Sequence, residues 1–131
     1  MRQLAWPALA ALALVFSTAA VAEGPGKYTV SGTNVKDKSE YHGTATLTQT
    51  GHMTWEVVED IAGDTFEGFG IGDGKTIAVG FATDGSSVVA LYIANPDGSY
   101  TGMWADEGDK DVSTETRWGS RASDRLHVHV V

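Results

Sequence analysis

Two clusters in this sequence carry residue types that bind metal ions, and two carboxylates stand where a proton could be moved. The stretch Asp106-Glu107-Gly108-Asp109-Lys110-Asp111 gathers four carboxylates, and hard cations such as calcium favour oxygen ligands collected in this way. Asp106, Asp109 and Asp111 are its candidate ligands. The spacing is not that of an EF-hand loop, so a hydrated acidic turn is the plainer expectation. His127-Val128-His129 places two imidazoles on one face of a strand, about 7 Å apart. They could share an ion if a third ligand arrived from another strand; a solvated strand explains them equally simply. Glu67 lies between Phe66 and Gly68, and Glu115 lies two residues from Arg117. Either would become a general acid if burial raised its pKa, whereas a cross-strand ion pair would leave it structural.

Recognition falls to the large aromatics. Trp55, Trp104 and Tyr92 sit on apolar faces of alternating segments and are expected in the interior, where each ring buries roughly 150–250 Å². Trp118 precedes Gly119-Ser120 at the end of a run. It is placed either to cap the core or to meet a ligand at a barrel mouth. These four are the candidate ligand-binding residues. The sequence holds no cysteine and no G-x-S-x-G, H-E-x-x-H or glycine-rich phosphate loop, so catalysis is not expected and no cofactor is implied. A hydrolase or isomerase working through Glu67 or Glu115 stands as the alternative.

The elements that must position these residues are strands. Sixteen glycines fall mostly at turns between short runs rich in Thr, Val, Tyr, Phe and Trp, which is an all-β pattern. Alternation assigns runs over 27–32, 41–48, 52–57, 65–72, 75–82, 86–94, 99–105, 112–118 and 125–131. The segment 59–64 reads as a connection, and Asp73-Gly74 reads as a type I′ hairpin turn with positive φ at both positions. In the third run Met53, Trp55 and Val57 are expected to face inward; in the eighth, Ser113, Glu115 and Arg117 form a polar face. The sixth run is apolar on both faces, with Val89, Leu91 and Ile93 opposite Val88, Ala90 and Tyr92. Eight or nine strands joined by tight turns describe an antiparallel up-and-down meander, and closure into a small barrel hides its edges. A two-sheet sandwich is the alternative.

The first 22 residues read as a leader rather than as part of this domain. Arg2, an apolar stretch from Leu4 to Phe16, and Ala20-Val21-Ala22 match a cleavable signal peptide, leaving 23–131 as one β-domain exported to the periplasm or beyond. Without cysteine there is neither a disulfide nor a lipoprotein anchor. The formal charge of −8 becomes more negative once Arg2 is removed. Such a surface repels phosphate backbones and anionic headgroups, so neither nucleic acid nor membrane insertion is expected.

The series Tyr41-x-Gly43, Trp55, Phe66-x-Gly68-x-Gly70, Ala78-Val79, Tyr92, Asp97-Gly98-x-Tyr100-x-Gly102-x-Trp104 and Thr114-Glu115 resembles a family of small exported bacterial all-β domains. Some of its members are labelled fibronectin-binding. The resemblance spans most of the chain after the leader, and its elements are turns, kinks and core aromatics, so it transfers no binding residue. A looser architectural similarity connects the chain to barrels of the avidin and lipocalin kind. The expectation is therefore a non-enzymatic exported domain that binds a small apolar ligand inside or an envelope or extracellular protein outside. A structural or adhesive role through sheet edges or an apolar face of Val89, Leu91, Ile93 and Met103 is the alternative.

Overall fold

A computed structural model describes residues 23–119; the leader and the run carrying His127 and His129 lie outside the described residues. Eight strands follow in order: β1 (Gly26–Thr33), β2 (Glu40–Gln49), β3 (Thr54–Ile61), β4 (Asp64–Gly72), β5 (Thr76–Thr83), β6 (Ser86–Ala94), β7 (Tyr100–Asp106) and β8 (Ser113–Gly119). Each pairs antiparallel with the next, and β8 pairs back onto β1 from Tyr28↔Gly119 to Thr33↔Thr114. The sheet is a closed barrel, so the two-sheet sandwich is set aside. Closure leaves no strand edge to solvent among these eight.

Alternation decides what fills the barrel. Tyr28, Val30, Ala45, Leu47, Trp55, Val57, Ile77, Val79, Phe81, Ala90, Tyr92 and Tyr100 form the buried core, one inward residue at every second position of their strands. An eight-stranded barrel has an interior only wide enough for such side chains or for one small ligand.

Three local expectations are corrected. Strand β3 continues to Ile61, so Glu59 is not in a connection; it points inward and is buried. Met53 precedes β3 and is exposed, because the β2–β3 turn lifts it out of the alternation. At Asp73-Gly74 only the glycine has positive φ, 95°. Asp73 instead accepts backbone N–H bonds at Oδ1 from Lys75 (2.8 Å) and Thr76 (3.0 Å), a side-chain substitute for the turn geometry. The double positive φ occurs at Ala62 (53°) and Gly63 (89°), the two residues between β3 and β4, where it matches the strands' twist.

The two ends of the barrel differ. At one end the tyrosine hydroxyls tie the entering chain to a turn. Tyr100 donates to the Gly74 carbonyl (2.5 Å) and accepts from the Gly24 N–H (2.9 Å), while Tyr28 donates to the Gly24 carbonyl (2.6 Å). The rings of Tyr28 and Tyr100 meet edge to face, 5.5 Å apart, and Trp55 closes the remaining space with Nε1 donating to the Gly72 carbonyl at 2.9 Å. This end is filled. Tyr100→Phe removes the hydroxyl that serves both Gly24 and Gly74, and leaving buried groups unpaired costs about 1–3 kcal/mol each. Chemical denaturation should show a loss of about 2 kcal/mol with an unchanged m-value.

Candidate functional site

At the opposite end, where the β1–β2, β3–β4, β5–β6 and β7–β8 connections lie, the barrel contains a cavity of about 290 Å³. Its walls include Ile61, Phe66, Phe81, Val88 and Trp104, and its polar lining includes Tyr41, Glu59, Tyr92 and Glu115. The cavity is therefore apolar around the sides and carries two carboxylates on its lining. The loops above it are clasped together: the Val35 N–H donates to Ser113 Oγ at 2.8 Å, and Lys36 Nζ stands 3.1 Å from Asp109. The latter pair is largely solvated on the lysine side and contributes little to stability.

Beneath the polar lining lies Arg117, only 1% exposed. Its Nε donates to Glu115 Oε2 at 2.7 Å, and the same guanidinium donates to Glu59 Oε2 and, at 2.6 Å, to the Tyr92 hydroxyl. Cζ lies 3.6 Å from the centre of the Tyr92 ring, a position that favours a cation on an aromatic face. A buried cation requires this kind of company, because desolvation of an isolated charge costs far more than a domain's whole stability. A second tier reaches upward: Tyr41 donates to Glu115 Oε1 at 2.8 Å, and Trp104 Nε1 donates to the Tyr41 hydroxyl at 2.7 Å. Five strands thus supply one connected network.

Two glycines give this network its room. Glu115 pairs with Gly32 of β1 on one side and with Gly102 of β7 on the other. A Cβ at Gly32 would overlap the ring end of Tyr41, and one at Gly102 would stand 2.5 Å from the Tyr92 ring. Both rings lie over bare backbone, which is how they bring their hydroxyls to Glu115 and Arg117. Gly32 and Gly102 are the seats of the site's two tyrosines.

The electrostatics follow from burial. Glu59 is pushed up to about 7, first by desolvation and then by Glu115, both as a neighbouring charge and as a hydrogen-bond partner; Arg117 acts in the opposite direction. Burial works against the charged guanidinium of Arg117, but Tyr92, Glu59 and Glu115 outweigh it and hold its pKa above the ordinary value. Tyr41 and Tyr92 are both raised, chiefly by burial, and so remain hydrogen-bond donors. Uptake of a proton by Glu59 removes one negative charge from beside Arg117.

The residues singled out in the sequence are dispersed. Trp104 and Tyr92 line the cavity. Trp55 is at the filled end, and Trp118 is half-buried on the outer face of β8 opposite Thr29, because strand alternation turns it away from buried Arg117 and Gly119. Neither Trp55 nor Trp118 touches the cavity. Asp106, Asp109 and Asp111 do not converge: Asp109 Oδ2 accepts from the Asp106 N–H (3.0 Å) and its carboxylate pairs with Lys36, while Asp111 accepts from the Val112 N–H (2.8 Å). Among the described residues no three His, Cys, Asp or Glu side chains are grouped to hold a metal ion. Of the two candidate proton carriers, Glu67 is exposed on the outside of β4, and Glu115 is inside. Glu59, Arg117 and Tyr41 were not among the sequence candidates. One available signal was β8 itself, whose two faces are Thr-Thr-Trp and Ser-Glu-Arg; closing a barrel forces one of these inward.

No protein-family model matches the chain, and no curated protein matches it.

Arg117→Ala would strand two carboxylates in the interior and should cost about 3–5 kcal/mol by chemical denaturation. Glu59→Gln tests the opposite sign. The folded pKa lies above the unfolded one, near 4.5, so the folded state holds the proton more tightly. Glu59's contribution is fully present below about pH 4.5 and is lost as pH rises through 7. Relative to Glu59→Gln, the wild type should lose on the order of 3 kcal/mol of stability across that window, with no further divergence above it.

Proposed function

We propose that this protein is an exported, non-enzymatic carrier or sensor domain that takes a small, largely apolar ligand into the open end of its barrel. The observation that carries this reading is the asymmetry of the interior. One end is filled by Trp55, Tyr28 and Tyr100, whereas the other keeps a cavity of about 290 Å³ walled by Phe66, Phe81, Val88 and Trp104. A core built only for stability would fill that volume with side chains, as the opposite end does. Concave, mostly apolar sites with a few convergent polar groups are what small ligands occupy. A cavity of this size suits a compact molecule or one end of a longer one. The leader-like sequence of the first 22 residues supports export.

A second reading has its own observation. Outside the barrel, Phe69, Ile71, Val89, Ile93 and Met103 are exposed on β4, β6 and β7, with a shallow groove over Ala78, Gly80 and Ala90 between them. This apolar face supports the adhesive or partner-binding role, in which the ligand is another polypeptide lying on the strand faces. Glu115 in the cavity lining leaves a proton-transfer enzyme as a third possibility, though the engagement of Glu115 with Arg117 and Tyr41 favours a structural carboxylate over a mobile one.

The neutral dye N-phenyl-1-naphthylamine distinguishes the first two readings. It should bind with micromolar affinity and quench Trp104, and Val88→Trp, which fills the cavity from its wall, should weaken binding at least tenfold. Binding undiminished by Val88→Trp but abolished by Phe69→Ser would move the site to the outer face.

A further inference from the structure

Glu59 and Glu115 give the cavity a chemical preference that its apolar walls do not. Both line it, yet they are unequally engaged. Glu115 accepts from Arg117 at one oxygen and from Tyr41 at the other. Glu59 accepts from Arg117 at Oε2 and has the Glu115 carboxyl as its other polar neighbour. The positive charge beneath the site is already held by both carboxylates and covered by the Tyr92 ring, so an anion entering from the mouth meets two carboxylates before it meets the guanidinium. A cation meets the reverse. It finds acceptors on the lining and aromatic rings of Phe66, Phe81 and Trp104 around its path, the combination that recognises ammonium groups. The chain's formal charge of −8 draws cations toward that mouth as well.

We infer that the cup binds hydrophobic amines, with the ammonium group against the Glu59 carboxylate and the hydrocarbon body between the aromatic walls. This rests on the cavity being a ligand site and specifies what enters it. Binding is then an exchange of cations. Without ligand a proton on Glu59 offsets the buried carboxylate charge; with ligand, the ammonium takes the proton's place and the proton leaves to solvent. No covalent bond is made or broken. The groups facing Glu59 are Arg117 and Glu115 from β8, Tyr92 from β6 and Tyr41 from β2, and β4 contributes Phe66, which does not titrate. Burial raises Glu59 to about 7, while both tyrosines are pushed above their usual range. Affinity should therefore rise with pH through that value, because the ionised carboxylate is the form that receives the cation. The amine itself stays protonated across the range, an alkylammonium resembling lysine with a pKa near 10.

Calorimetric titration of the purified wild-type protein with three probes of one shape tests this: 3-phenylpropylamine, 3-phenylpropan-1-ol and 3-phenylpropionate. The amine should bind at least tenfold more tightly than the alcohol at pH 8, and the carboxylate should be the weakest. From pH 6 to pH 8 amine affinity should increase about tenfold, the change in the ionised fraction of a group titrating near 7. At pH 7 titrations in buffers of different ionisation enthalpy should show release of about half a proton per amine bound. Glu59→Gln, checked for folding by circular dichroism, should abolish both the pH dependence and the preference over the alcohol. If that variant does not fold, the wild-type proton release decides alone. Equal binding of amine and alcohol, tighter binding of the carboxylate, or a flat pH profile overturns the assignment. If no probe binds but N-phenyl-1-naphthylamine does, the amine preference falls and the cup reading stands; if nothing binds, both fall.

Discussion

Everything at the open end of this barrel depends on a single buried guanidinium. Arg117 has no route to water, so the fold must surround it with acceptors, and it does so from three other positions: Glu115 on the same strand, Glu59 on β3 and the hydroxyl and ring of Tyr92 on β6. Those groups then impose requirements of their own. Glu115 needs a second donor, which Tyr41 supplies; Tyr41 can reach it only because Gly32 has no side chain; Tyr92 can lie under the guanidinium only because Gly102 has none. An apolar replacement of similar volume would be as stable or more stable in many proteins. The polar cluster is therefore better understood as specifying a particular interior than as strengthening a generic one.

The filled end shows how little polarity the same barrel needs when nothing is to be accommodated. There the hydroxyls of Tyr28 and Tyr100 and the indole of Trp55 address backbone atoms of Gly24, Gly72 and Gly74. No ionised side chain takes part in these bonds. The contrast between a neutral, packed base and a charged, partly empty mouth gives the molecule its direction. It also divides the inward positions of the strands into two populations with different tolerances, since volume matters most at one end and hydrogen-bond partners at the other.

The strands were legible because their signal is local. Alternation in β1, β2 and β5 acts within a few residues, and each of these strands appears in the structure with its ends shifted by only one position. The site was legible only in part: Trp104, Tyr92 and Glu115 stood among the candidates and line the cavity, but the groups that join them were not, because their logic is long-range. Glu59 looked like part of a connection, since it stands in an acidic stretch with Glu56 and Asp60, and only a cation 58 positions away makes its burial tolerable. Arg117 and Glu115 looked like a polar face, which is what charged residues on a strand usually form. Trp118 was misjudged for the mirror-image reason: a large aromatic at a strand end suggests a cap or a mouth, whereas the inward place there belongs to an arginine. Hydropathy reports which side of a strand most often faces solvent; it carries no information about a partner brought near by barrel closure.

That closure has a consequence for how the chain reaches its final state. Seven of the eight strand pairings join neighbours in sequence, and one, β1 with β8, joins the two ends. Local hairpins form early and distant pairings late, because the longer loop must be ordered before its contacts repay it. Arg117 and Glu115 ride on β8, one of the two strands whose pairing closes the barrel, whereas Glu59, Tyr41 and Tyr92 stand on strands paired only with their sequence neighbours. Docking β8 one residue out of register would turn Arg117 and Glu115 outward and put Trp118 inside. Docking it two residues out would keep the correct face but separate Glu115 from the bare backbone of Gly32 and Gly102. The ion cluster thus favours one alignment of the closing pair, because only that register joins Arg117 to Glu59 and Tyr92 while setting Glu115 between Gly32 and Gly102.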